Sequence, residues 1–292
     1  MQKSHAATLL SILFASLIAG CVSPAMDSRQ PAASSTTPVA ESEDRYIDVH
    51  THITPAGMPL EQIIRSMDKE GIDRMIIMES PTDIYNRVPQ AQYGIPEAAE
   101  KYPDRFTALY GGFGEIALRH FPSEDGTEIT IPGDHPWIFV MSDIAAKYDV
   151  PIDIHMEATD ETVADLEKLL DHNKSANLIW EHAGRSNTGK TTPLLMRRLM
   201  EEHPNMYSAV KIRKAKTAER IVVRILDDED KITPEWMALF RDFPDRFMIG
   251  SDIKPGEKDD DFSHIKNQRK FLSRLPPEIA KKIKRENAKK NL

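Results

Sequence analysis

At 292 residues, with 29% charged and 40% hydrophobic side chains, the chain has an ordinary globular composition and enough length for one sizeable core. Its 46 acidic against 38 basic residues give a formal charge of −8, which argues against a surface that tracks phosphates, because non-specific nucleic-acid binding depends on clustered Lys and Arg. A single cysteine excludes a disulfide within the chain.

The first 21 residues form a unit of their own. Lys3 supplies positive charge, Ala6 to Ala19 is a short apolar run, and Ile18-Ala19-Gly20-Cys21 closes it. A membrane span needs about 20 apolar residues, so this stretch reads as an export signal. The small residues before Cys21 resemble a bacterial lipobox, in which the cysteine is diacylated and becomes the mature N-terminus; a plain secretory signal is the alternative. The expected location is therefore outside the cytoplasm, lipid-anchored to an envelope membrane and facing the periplasm. With Cys21 consumed, no thiolate is left, and any metal must be held by His and carboxylates. Residues 22–44 are rich in Ser, Thr, Pro and Ala without apolar periodicity, which predicts a disordered tether.

From residue 45 to 292, short β-type runs alternate with helical patterns, the pattern of a parallel sheet wrapped by helices. The predicted strands are Tyr46 to His52, Asp73 to Glu79, Phe106 to Tyr110, Gly114 to His120, Pro151 to Met156, Asn177 to His182, Met206 to Lys211 and Phe247 to Asp252. Helical patterns fall at Leu60 to Glu70, Gln92 to Lys101, His135 to Tyr148, Asp160 to Leu170, Pro193 to His203, Pro234 to Phe243 and Phe262 to Leu275. Pro59, Pro193 and Pro234 suit first-turn positions. Eight strand runs point to an α/β fold of the (β/α)8 TIM-barrel type. The third and fourth runs are separated only by Gly111 to Phe113, so the third helix is missing or the boundaries there are displaced. Lys211 to Arg224 is a basic stretch read as a solvated face.

Residues two apart on a strand share a face, so His50 and His52 both face inward near the end of the first strand, as a bidentate metal site requires. Taken alone the pair is weak. It gains weight because His155, His182 and Asp252 close the fifth, sixth and eighth predicted strands while Glu115 lies on the fourth. In a barrel these ends converge, and polar residues there read as functional.

Taken with Ile47-Asp48-Val49-His50-Thr51-His52, the segments Pro151-Ile152-Asp153-Ile154-His155, Glu181-His182-Ala183-Gly184, Pro244 to Asp252 and Glu286-Asn287-Ala288-Lys289-Lys290 resemble, in the same order, the amidohydrolase superfamily and most closely its amidohydrolase-related branch. The resemblance implies a divalent cation, expected to be Zn²⁺, bound by His50, His52, His155 and Asp252. It implies that His182 either binds metal or contacts substrate and water. Where many two-metal relatives carry a carboxylated lysine, this chain has Glu115, so one or two cations are both open. The implied chemistry is hydrolysis of an amide, ester or lactone bond of a small molecule, with Asp252 moving the water's proton and His182 supporting the developing oxyanion. Non-oxidative decarboxylation by the same ligands is the alternative, and a non-catalytic solute-binding lipoprotein is another.

Arg119, His120 and Arg185 follow strand ends, where a cation would clamp a substrate carboxylate. The long insert Phe121 to Asp134 is a candidate lid. Asp48 and Asp153 are candidates for orienting the histidines. Gly184 to Thr191 fits the P-loop pattern, but Pro193 pushes Thr192 out of the helical region, and Thr192 as cap with Pro193 first in the helix explains the same letters. Oligomeric state is not readable from the sequence.

Overall fold

The computed structural model describes residues 44–53, 57–80, 94–109, 114–120, 128–183, 191–212, 224–256, 262 and 265–292. Cys21, the leader and all of the linker except Asp44 lie outside the described residues, as do Arg185 and the Gly184 to Lys190 part of the P-loop-like segment. No described helix is long and apolar enough to cross a membrane.

β1 (Tyr46–His52) is buried along its whole length and leads to α1 (Leu60–Glu70), which buries Ile63 and Met67 one turn apart. Pro59 stands just before this helix rather than in its first turn. Gly71 ends it at φ 75°, a left-handed cap that glycine adopts without steric cost, with its N–H on the Met67 carbonyl. β2 (Ile72–Met78), α2 (Ile95–Lys101) and β3 (Phe106–Ala108) follow. β4 (Ile116–His120) comes next without a described helix between, as the short spacing predicted. The described part of the Phe121 to Asp134 insert contributes β5 (Ile129–Thr130), an element absent from the sequence reading, antiparallel to β4.

The alternation then becomes regular: α3 (Pro136–Tyr148), β6 (Ile152–Met156), α4 (Asp160–His172), β7 (Leu178–Ala183), α5 (Pro193–Glu202), β8 (Met206–Val210), α6 (Pro234–Asp242) and β9 (Phe247–Ile249). α4 opens with a capping box between Thr159 and Thr162. α5 opens with Thr192 Oγ1 accepting from Leu195 N at 3.2 Å, and Pro193 stands in its first turn: an ordinary helix start. The last predicted helix, Phe262 to Leu275, is α7 (Ile265–Leu272). After it the chain makes α8 (Pro277–Lys281), a π-helical turn (Lys282–Glu286) and α9 (Asn287–Asn291), elements the periodicity did not reveal.

Among the described residues the sheet has nine strands in the order β3-β2-β1-β9-β8-β7-β6-β4-β5, and every ladder described but β4 with β5 is parallel. A closed barrel would add a β3 to β4 ladder, which is not among the described pairings. Their approaches nevertheless meet, since a Cβ on Gly114 would sit 3.4 Å from the Leu109 carbonyl oxygen and from Met78 Cβ.

Alternate residues divide between two apolar clusters, as strand geometry requires. On β2, Met75 and Ile77 join the large cluster under the helices while Ile76 and Met78 join a smaller one on the opposite face; on β8, Met206 and Val210 divide from Tyr207 and Ala209 in the same way. Ala288 of α9 packs into the smaller cluster, and Asn287 Nδ2 donates to the carbonyls of Pro244 and Phe247, both at 2.8 Å.

Candidate metal centre

β6 and its continuation show how sequence builds the site. In Ile152-Asp153-Ile154-His155-Met156-Glu157, Ile152, Ile154 and Met156 pack under the helices, and Asp153, His155 and Glu157 alternate onto the inner face, all buried. β1 needs a further device. Asp48 pairs with Met75 but Thr51 with Ile77, so β1 gains one residue over β2, a bulge of the kind that re-aims side chains. Ile47 and Val49 therefore face the inner cluster, and His50 and His52 face inward after them. β7 repeats the device: Trp180 pairs with Ser208 but Ala183 with Val210. Both Glu181 and His182 thereby reach the interior, with His182 at φ 66°.

Glu115 stands one residue before β4, not on the strand as expected, and lies at the centre. Its Oε2 is 3.3 Å from His52 Nε2 and 3.6 Å from His50 Nε2, and its Oε1 is 3.0 Å from both His155 Nδ1 and His182 Nε2. Asp252 was expected to end the last strand; β9 stops at Ile249, and Asp252 follows at φ 51° with its N–H on the His50 carbonyl at 2.8 Å. Its Oδ1 lies 3.3 Å from His52 Nε2 and 4.0 Å from His50 Nε2, and its Oδ2 3.9 Å from His182 Nε2. Non-glycine residues in the left-handed region are uncommon, and such strain, about 1–3 kcal/mol each, gathers at functional sites.

Each of three rings also has its far nitrogen held. His50 Nδ1 is 3.4 Å from both Asp153 Oδ2 and Glu181 Oε2, His52 Nδ1 donates to the Met78 carbonyl at 3.2 Å, and His155 Nε2 donates to Glu157 Oε1 at 3.2 Å. Fixing one nitrogen sets the tautomer and aims the other. Asp48 accepts from Ser251 N at 2.9 Å and so ties β1 to the segment carrying Asp252; burial pushes its carboxyl up to about 6. Gly250 is required where these parts meet, because a Cβ there would lie 2.9 Å from Ala209 Cβ and 3.0 Å from both His50 Cβ and Glu181 Oε2.

The donor set fits a divalent cation. Ligands bonded at about 2.0–2.1 Å in a tetrahedron stand about 3.4 Å apart. Buried His50 Nε2 has no hydrogen-bond partner among the described residues, and it faces the Glu115 and Asp252 oxygens at 3.6 and 4.0 Å. Among the described residues buried His50 belongs to three such donor groups, with Glu115 and His182, with His52 and the half-buried Asp252, and with Asp153 and Glu181.

Electrostatics here follow from burial and crowding. Burial opposes charge on His155, but its contacts with Glu115 and Glu157 outweigh that and raise its pKa to about 9. Burial, followed by the nearby Lys211 charge, drives His182 well below the usual range, and burial lowers His52. Burial and then the adjacent Asp153 hold Glu181 well above the carboxylate range, since two neighbouring acids resist joint ionisation.

Lys211 corrects the sequence reading most sharply. It opens a stretch whose composition reads as a solvated basic face, yet it is fully buried and its Nζ pairs with Asp252 Oδ2. The cause is the continuation of β8, where Lys211 N bonds the Ala183 carbonyl at 3.2 Å and the side chain enters the interior. Glu157 and Glu181 were likewise not singled out. Glu157 was legible as the next alternate position after His155, whereas Glu181 faces inward only because of the bulge in β7.

The candidate substrate contacts separate. His120 stacks on His155, ring centres 4.8 Å apart. Arg119 turns away, pairing with Glu128 at 2.7 Å and Thr130 at 3.0 Å and lining a cavity of about 370 Å³ with Thr159 and Asp160 at the start of α4.

A family model described as amidohydrolase matches residues 131–292. No curated protein sequence matches the chain. Among solved structures, 2,6-dihydroxybenzoate decarboxylase complexed with 2,6-dihydroxybenzoate is 16% identical, with 84% of this chain and 98% of that one covered and a TM-score of 0.54. Amidohydrolase 2 from Bifidobacterium longum subsp. infantis is 13% identical, with 85% and 98% covered and a TM-score of 0.50. At such identities the likeness is one of fold.

Proposed function

Because this chain belongs to the amidohydrolase family, we propose that it is a metal-dependent hydrolase acting on an amide, ester or lactone bond of a small molecule, with Glu115 shared between two cation positions. The observation that carries this reading is the division of the Glu115 carboxylate, one oxygen toward His50 and His52 and the other toward His155 and His182. Zn²⁺ is the proposed occupant, because neutral imidazoles with carboxylates are its usual donors where thiolates are absent. When bound, the cations supply Lewis acidity and lower the pKa of water.

The chain's own groups then divide the work. Asp153 and Glu157 hold the rings of His50 and His155, and the Met78 carbonyl holds His52. Asp252 presents Oδ1 to His50 and His52, and its Oδ2, on the side of His182, takes the proton of the attacking water and returns it to the leaving group. At 14% side-chain exposure, Asp252 is the member of this set that solvent reaches most readily, which suits that role.

Elemental analysis of the purified protein tests the reading, with about two cations per chain expected. His50→Ala and Glu115→Gln should each bind fewer. Turnover of an ester, lactone or amide panel, abolished in Asp252→Asn, is the expected activity. A folded wild-type chain without bound cation rejects the reading, and CO₂ release from carboxylated aromatics in place of hydrolysis replaces it with decarboxylation.

A further inference from the structure

Asp252 has two oxygens and the interior offers each a different neighbour. Oδ1 faces His50 and His52, where a cation would sit, and Oδ2 is engaged by the Lys211 ammonium. Lys211 has no exposed surface, so it cannot meet a substrate directly. A buried ammonium is costly unless paired, and it is retained here at the edge of a group that includes Glu115, Asp153, Glu157, Glu181 and Asp252.

We infer that Lys211 is a positioning residue that withholds Asp252 Oδ2 from the cation, so that Asp252 binds through Oδ1 alone and one coordination position stays open for water. The inference rests on the metal-dependent reading of the site. Carboxylates bind cations through one oxygen or through both. Oδ2 is part of the same group that already touches the donor set, its ion pair with Lys211 is what sets it apart from Oδ1, and His182 Nε2 at 3.9 Å lies too far to hold it. A fixed positive charge beside a cation site also weakens binding of the cation. Lys211 thus trades affinity for an open, water-bearing site, with Oδ2 left for proton transfer.

The test is Lys211→Met, which keeps the volume and removes the charge, beside Lys211→Arg, which keeps the charge. Cation affinity is measured by calorimetry with Zn²⁺ and Mn²⁺, and the waters on bound Mn²⁺ are counted by electron paramagnetic resonance in ¹⁷O water. Lys211→Met should bind the cation about tenfold or more tightly with fewer coordinated waters. Lys211→Arg should stay near wild type. If Lys211→Met does not fold, the double variant Lys211→Met/Asp252→Asn, which removes both buried charges, takes its place and is compared with Asp252→Asn; equal numbers of waters on bound Mn²⁺ are then expected, because the carboxamide has no second anionic oxygen to release. Unchanged or weaker binding in Lys211→Met with wild-type water count overturns the inference, as does an unequal water count in the fallback pair. A wild-type chain that binds no cation overturns both this inference and the reading beneath it, which separates the two failures.

Discussion

Single residues decide whether the donors meet. Gly250 carries no side chain to offer a ligand, yet that absence lets His50 and Glu181 pack against the end of β9. Gly250→Ala puts a methyl 3.0 Å or less from His50, Glu181 and Ala209, a forced overpacking expected to cost about 1–3 kcal/mol. Denaturant melts should show that loss, and cation content should fall with it as His50 shifts; a variant with wild-type stability and full cation content would contradict the packing account. The imidazoles were legible in the sequence because strand periodicity assigns them a face. Glu181 was not, since strict alternation turns it away from His182 and only an inserted residue in β7 brings both inside. Lys211 was hidden for a different reason. Its neighbours in sequence are basic, and only the partner across the interior, Asp252, shows why it is buried.

At the scale of elements, local chemistry governs where helices start. Thr192 and Pro193 fix the start of α5 whatever the preceding segment does, so Thr192→Ala should lower stability by about 1 kcal/mol in denaturant titration and leave cation content unchanged. A coupled loss of cation would mean that this cap supports the site, contrary to the fold. Helix beginnings marked by Pro or Thr were accordingly read closely from the sequence, and so were most strand ends, with the third and last strands the exceptions. β9 is three residues shorter than the run that predicted it, because Gly250, Ser251 and Asp252 leave the ladder to serve Val210, Asp48 and His50. Hydrophobic pattern does not distinguish a residue that continues a strand from one that turns off it.

For the molecule as a whole, the C-terminal segment holds the last strand against the first. Asn287 supplies two carbonyls at the two ends of the turn into β9, and Ala288 fills the inner cluster beneath the site. Asn287→Ala leaves both carbonyls without this donor, at about 1–3 kcal/mol for the buried Phe247 acceptor left unsatisfied and less for the part-buried Pro244 one. A lowered melting temperature with reduced cation affinity is expected, since β9 leads directly to Asp252; a melting temperature equal to wild type would remove the segment from any role in holding β9. The sequence by itself determined the alternating α/β architecture and which imidazoles and acids lie near strand ends, because apolar period and residue chemistry are local properties written in order along the chain. Tertiary structure alone decided that Glu115 stands between two histidine pairs, that bulges turn Glu181 inward, and that Lys211 answers Asp252. Those relations join residues far apart in the chain, and a distance of 3 Å between strands has no trace in the spacing of letters.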